Sequence, residues 1–231
     1  MARQERAIRT RDAILVAAAE VFDEVGYEAA AISDVLRRAG VTKGALYFHF
    51  ASKKELAQAV LANQVLAIPE VPERELALQQ GLDESFIVAY MLSKGDPLVR
   101  GSVRLTVDQG SPKDGLDRRV PMSGWTERNI DFLTRARDNG ELLPHVDVVA
   151  TAQLFVGAFT GVQMLSKIMT NHADLTDRVT DLQRQLMASI AVPAVLVRLD
   201  MSPERPARVY EEAVEARRKK EAEAVTAGAS S

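Results

Sequence analysis

Cysteine is absent from the 231 residues, which rules out disulfides and cysteine-held metal centres and is compatible with a reducing compartment. Histidine is scarce as well. His49, His145 and His172 stand at no spacing that would gather a metal ion, and no metal or other cofactor is expected. His145 and His172 read as solvated, one in a loop after Pro144 and one at a helix end. No glycine-rich phosphate loop and no nucleophile–base pair is recognisable, so the chain does not read as an enzyme. No apolar run approaches the ~18 uninterrupted residues of a membrane span, and the Arg-rich N-terminus has no apolar signal-peptide core. A cytoplasmic protein with no membrane partner is the expectation. Strict apolar–polar alternation is also missing, which excludes a sheet protein and leaves an all-α fold. There is no surplus of positive charge: the net charge is −3 and the isoelectric point about 5.7. Any contact with nucleic acid must therefore rest on local charge.

What is present is apolar helical pattern. Hydrophobic residues make up 47% of the chain, ample for one large or two small domains. The stretch ISDVLRRAGVTKGALYFHF, residues 32–50, organises the rest. Ile32, Val35, Leu36 and Ala39 fall on one face of a helix. Ser33 is the N-cap candidate at its start and Gly40 supplies the left-handed residue that ends it. Val41 plugs the core, and Thr42 is placed to cap a second helix over Lys43–His49. That helix is too short to stand alone in water, so one face must pack. Ala45, Leu46 and Phe50 look like that face. Lys43, Gly44, Tyr47, Phe48 and His49 are left free, as in a helix entering a DNA major groove. Lys43 suits a guanine edge or a phosphate. Gly44 lets the backbone come close to a sugar–phosphate chain, and Thr42 and Tyr47 suit phosphates. A tight corner in an ordinary helical protein has the same spacing, so spacing alone leaves both readings open.

Before this stretch, Ile14, Ala17, Ala18, Val21, Phe22 and Val25 form a scaffolding helix from about Thr10 to Val25, closed by Gly26. Arg3, Arg6, Arg9 and Arg11 precede or open it against the single acid Glu5, as a flexible basic arm able to reach DNA or merely solvated. After it, Ser52 and Glu55 make a capping box for a fourth helix, Lys53 to about Ala67. Lys53 is a phosphate candidate, because a cation in a first turn is disfavoured by the helix dipole unless an anion is near. Gln64 faces either inward or solvent. Pro69 and Pro72 mark a boundary.

Five more helices are expected: Glu73–Leu92; one after Pro97; Met122–Asn139, following a polar loop over Ser111–Pro121; Val146–Met169; and Leu175–Asp200, bent near Pro193. The last two are apolar on more than one face, so a second copy of the chain is the simplest cover for the outer one, with Gly157 and Gly161 allowing close approach. A bundle of this size can also hold a ligand. Trp125, Val156, Phe159, Thr160 and Gln163 combine apolar surface with a few polar groups, as a small oxygenated lipophile requires, although a lone tryptophan is more often ordinary core packing than a ligand clamp. Residues 203–231 read as a charged tail, either a solvated helix or flexible. The division is residues 1–52 for DNA binding, 53–202 for ligand binding and dimerisation with helix 53–67 as connector, then the tail.

The run from Thr10 to Leu61 resembles the DNA-binding domain of the TetR family of bacterial repressors, through AILVAAAEVFDEVGYEA, ISDVLRRAGVTKGALYFHF and SKKELAQAVL. The family often has threonine just before the first of the two short helices; here Ala31 stands there. More loosely, and as far as about residue 200, TKGALYFHF, the Gly124–Trp125 pair and the acidic isoelectric point resemble the γ-butyrolactone autoregulator receptors of Streptomyces-type actinobacteria. The resemblance implies an N-terminal helix-turn-helix domain with a helical ligand-binding and dimerisation bundle, and a homodimer on operator double-stranded DNA. It implies release by a γ-butyrolactone or butenolide-type signal and control of antibiotic or secondary-metabolite genes. It places Trp125 in the signal pocket, with Gln64 and Thr160 as partners for the signal's oxygens. A TetR-like sensor of drugs or metabolites, or a signal-blind relative, would share most of these residues.

Overall fold

The computed structural model describes residues 2–108 and 114–228, and among these the chain is helical with no strand. The helices are α1 (Ala2–Ala29), α2 (Ile32–Ala39), α3 (Lys43–His49), α4 (Lys53–Leu66), α5 (Ala77–Lys94) and α6 (Pro97–Val107). They continue with α7 (Arg119–Asp138), α8 (Val148–Thr170), α9 (Leu175–Ile190), the single turn α10 (Pro193–Leu196) and α11 (Arg205–Gly228). They group into two compact units, one within Met1–Ala67 and Gly95–Gly124, the other within Ile68–Lys94 and Trp125–Ser231. By packing, α4 therefore belongs with α1–α3, as does α6, whereas the sequence division at residue 52 had set α4 apart as a connector.

In the first unit Ile14, Leu15, Ala18, Val21 and Phe22 of α1 share one buried core with Val35, Leu46, Phe50, Leu56, Val60 and Leu61, and Leu105 of α6 joins them. Val25 departs from the expected stripe and is exposed. The close approach of α6 is made by Gly101, where a Cβ would lie 2.2 Å from the Ala19 carbonyl oxygen. At the other end of α6 the Asp108 carboxylate covers Gly26, whose φ of 75° interrupts α1. The expected flexible arm is corrected: residues 2–11, Arg9 and Arg11 included, are already helical. Alanine, arginine, glutamine and glutamate are good helix formers, and no glycine or proline interrupts them. Ser33 is corrected too. Ala31 occupies the N-cap position with no side-chain hydrogen bond, and Ser33 lies inside the first turn. The chain enters α2 two residues earlier than a cap at Ser33 would require, and the Ala31 carbonyl accepts from Asp34 and Val35.

In the second unit, Glu141 is buried and its carboxylate accepts from the Ala77 and Leu78 amides, both at 2.9 Å, so it caps α5 from sixty residues away. The Glu141 carbonyl accepts from Val192, beside an isolated bridge between Leu142 and Ala191. These contacts sit where the expected bend near Pro193 is a full break. A residue before proline is pushed to extended backbone, and Val192 adopts it. The polar loop is shorter than expected, since α7 begins at Arg119, ahead of Pro121, which a first helical turn tolerates; residues 111–113 of that loop lie outside the described residues. Of the two readings of the tail, the helix is observed as far as residue 228, and it is docked where it was expected to be solvated. This helix is α11, with Val209 and Ala213 buried and Arg205 donating at 2.8 Å to Asp83, a fully buried carboxylate that also accepts from Arg74 at 2.7 Å. Such a buried carboxylate must be paired, and the tail supplies half of the pairing. His172, expected to be solvated, is buried, with φ 70° in the turn after α8 and its Nε2 3.3 Å from Gln163 Oε1. The helix α8 is long and apolar enough, by length and composition, to cross a membrane, although it lacks the uninterrupted run sought in the sequence: Gln163 and Ser166 are buried along it.

Candidate nucleic-acid interface

Local sequence accounts for how α3 is held. Thr42 Oγ1 accepts from the Ala45 amide at 3.2 Å, the N-cap expected of it. Gly40, at φ 64° and ψ 32°, ends α2 in the left-handed region. Arg38 donates through both terminal nitrogens to the two carboxylate oxygens of Glu24, each at 2.9 Å, and fastens α2 to α1. That hydrogen bond holds the Glu24 carboxyl below its ordinary range. Nothing in the spacing pointed to the pair.

At about 100° per residue, Leu46 and Phe50 face the core with Ala45 and His49 half-covered beside them. Lys43, Tyr47, Gly44 and Phe48 follow one another across the opposite, exposed arc. Lys43 Nζ lies 5.9 Å from the Tyr47 ring centroid. Phe48 is 80% exposed, and its ring stands edge-on to His49 at 5.0 Å. Gly44 meets only Thr42 Oγ1 at 4.0 Å, so nothing in the protein excludes a larger side chain there. The first turn of α3 carries no acidic residue. The arc is thus one cation, one phenol, one notch and one bare apolar ring, with no carboxylate to repel phosphate.

Flanking groups are more occupied than their sequence roles required. Lys53 donates to the Glu28 carbonyl at 3.2 Å and lies 4.7 Å from the Tyr27 ring, and its desolvation lowers its ammonium pKa. Ser52 Oγ accepts from the Glu55 amide at 3.1 Å, and Glu55 returns to the Ala51 amide at 2.7 Å, one residue ahead of the usual capping-box partner. Arg11 stacks over Phe50 at 5.1 Å, and Arg9 faces Glu5 at 3.9 Å with both side chains exposed.

The ligand candidates divide between the units. Gln64, in the first, is buried and accepts from Thr106 Oγ1 at 3.1 Å, which settles the open question of its direction. Trp125, in the second, is half-buried with the Arg128 guanidinium 5.8 Å from its ring, and Arg128 pairs with Glu84 at 3.2 Å. On α8, Val156 and Phe159 are half-buried. Thr160 Oγ1 donates to the Val156 carbonyl at 2.7 Å, so its proton stays within the helix, and Gln163 is buried against His172.

Residues 14–60 match the family of bacterial regulatory proteins called the tetR family. The A-factor receptor protein of Streptomyces griseus is 36% identical over 226 residues, covering 94% of this chain and 79% of that protein. The chain belongs to the TetR family. TetR regulators bind operator DNA as dimers, and this member is a DNA-binding transcriptional repressor of that type, not an enzyme. Full-length TylP of Streptomyces fradiae, a TetR regulator, superposes with a TM-score of 0.86 at 62% identity, covering 90% of this chain and 99% of that one. A γ-butyrolactone receptor described as an ArpA-like protein superposes with a TM-score of 0.65 at 27% identity, covering 90% and 98%. The TetR likeness thus extends through both units.

Proposed function

We propose that this TetR repressor acts in the cytoplasm as a homodimer on a pseudopalindromic operator, and is released by a small diffusible signal of the γ-butyrolactone or butenolide class. The genes under its control are those of antibiotic or other secondary-metabolite production. The observation that carries this reading is the 36% identity to a receptor for A-factor over nearly the whole chain, effector half included. Two α3 helices related by a dyad read half-sites about one helical turn, ~34 Å, apart. In each, Lys43 meets a guanine edge or phosphate, Thr42 and Tyr47 hold phosphates, and Gly44 grants close approach. Lys53 joins the phosphate contacts by leaving the Glu28 carbonyl. Trp125 offers the signal its indole face, Val156 and Phe159 offer apolar wall, and Thr160 and Gln163 offer oxygen and amide groups. Release requires only that signal favour a conformer with lower DNA affinity. A coupling of ~3 kcal/mol weakens binding on the order of 100-fold.

The test is fluorescence anisotropy on labelled DNA from upstream of its own gene, at fixed salt, with γ-butyrolactones, butenolides and unrelated lipophiles added in turn. Reversal by one signal class, lost in Trp125→Ala while operator affinity is kept, is the expected result. Reversal by many unrelated compounds would make the chain a drug or metabolite sensor. Reversal by none would make it signal-blind.

A further inference from the structure

Phe48 takes no part in the core, and its ring meets His49 edge-on at 5.0 Å. Its benzyl group is 80% exposed, while Leu46 and Phe50 of the same helix make the packing contacts with the core. An aromatic ring left in water on a short helix gains nothing for folding. Its surroundings are those of a contact surface: Gly44, one turn earlier on the same face, leaves open space, and Lys43 and Tyr47 adjoin it with no acid in the first turn. The Lys43 ammonium sets the helix against phosphates, and a bare apolar ring on the same exposed arc needs an apolar partner. Among the base edges of the major groove there is one such group, the 5-methyl of thymine.

We propose that Phe48 is a specificity residue that reads a thymine in each half-site through its 5-methyl group, with Gly44 providing the clearance that lets the base edge reach the ring. The inference rests on the reading that α3 enters the major groove. It adds to that reading a base preference carried by burial of a methyl, with no hydrogen bond, so the preference is independent of salt, unlike the contact of Lys43.

The test uses the full-length protein and the duplex from upstream of its own gene. Symmetry-related thymines are replaced pair by pair with deoxyuridine, which removes only the methyl. One pair is expected to weaken wild-type binding by about fourfold per half-site, the value of one buried methyl-sized group. Phe48→Ala is expected to bind thymine and deoxyuridine duplexes equally, and Phe48→Leu, which stays apolar, to keep part of the difference. Lys43→Ala is measured in parallel. If no deoxyuridine pair affects the wild type, or if Phe48→Ala still discriminates, the thymine proposal is overturned while the operator reading stands. If Lys43→Ala changes neither affinity nor salt slope, α3 is not in the groove and the parent reading falls with it. Phe48→Ala removes a solvated ring, so an unchanged thermal melt assigns any change in binding to the DNA.

Discussion

Asp174, at the start of α9, is a residue whose ionisation the fold holds firmly. Ser166 Oγ donates to it at 2.6 Å, Thr170 Oγ1 at 2.8 Å and Arg178 at 2.7 Å, and together they bring its carboxyl from 3.8 down to about 2. A folded value below the unfolded one means stability that is present above pH ~4 and disappears as pH falls through about 2. Asp174→Asn is therefore expected to lower the urea midpoint at neutral pH, with the deficit relative to wild type closing between about pH 4 and pH 2. A deficit that stays constant over that range would show that the loss is one of shape and not of charge. Residues of this kind mark the limit of reading a sequence. Thr42 and Gly40 were legible because a cap and a left-handed stop act on their own neighbours. Ser33 was misread because Ala31 opens α2 through its backbone alone, which no side chain announces. His172 was misread because the chain turns after α8 through a positive φ at both Asn171 and His172, a conformation uncommon outside glycine that no spacing announces.

At the scale of elements, the short helices and their order were legible from apolar spacing, and α3 has the expected limits. The grouping of elements was not. The assignment of α6 to the unit of α1 depends on the Gly101 backbone lying on the Ala19 backbone, a contact eighty residues apart with no side-chain pattern to signal it. The docking of α11 was hidden likewise, because its arginines resemble those of any solvated helix until Asp83 is seen beneath Arg205. Gly101→Ala tests the α1–α6 contact. Its methyl would stand 2.2 Å from the Ala19 carbonyl oxygen, and backbone cannot turn aside as a side chain can. The expected loss is about 1–3 kcal/mol in urea unfolding, the range for overpacking, and since Leu105 shares the core of α1–α4, operator binding is expected to weaken as well. A melt indistinguishable from wild type would mean that α6 slides on α1 at little cost.

For the whole molecule the decisive surface is the outer face of α8. Leu154, Gly157, Gly161, Leu165 and Ile168 line up at spacings of three and four, opposite a buried face of Ala152, Phe155, Gln163 and Ser166. Spacings of three and four are those by which one helix seats against another, and the two glycines let backbones approach. Neither glycine is required by the single chain, since a Cβ at either position would meet nothing within 4 Å. On the dimer reading, Gly161→Leu should therefore act in two opposite directions. In the isolated chain it should raise helix stability by up to about 1 kcal/mol, because glycine is the poorer helix former. In the dimer it should obstruct the approach of the partner and weaken association. Ile168→Glu, at a side chain 76% exposed in the single chain, should leave that chain folded and separate the dimer by placing a carboxylate in its interface. Sedimentation velocity reads association directly, and anisotropy on the same DNA reads its consequence: a monomer holds one half-site and forfeits the gain from engaging both together. Both variants remaining dimeric at wild-type concentrations would move the subunit contact to another face.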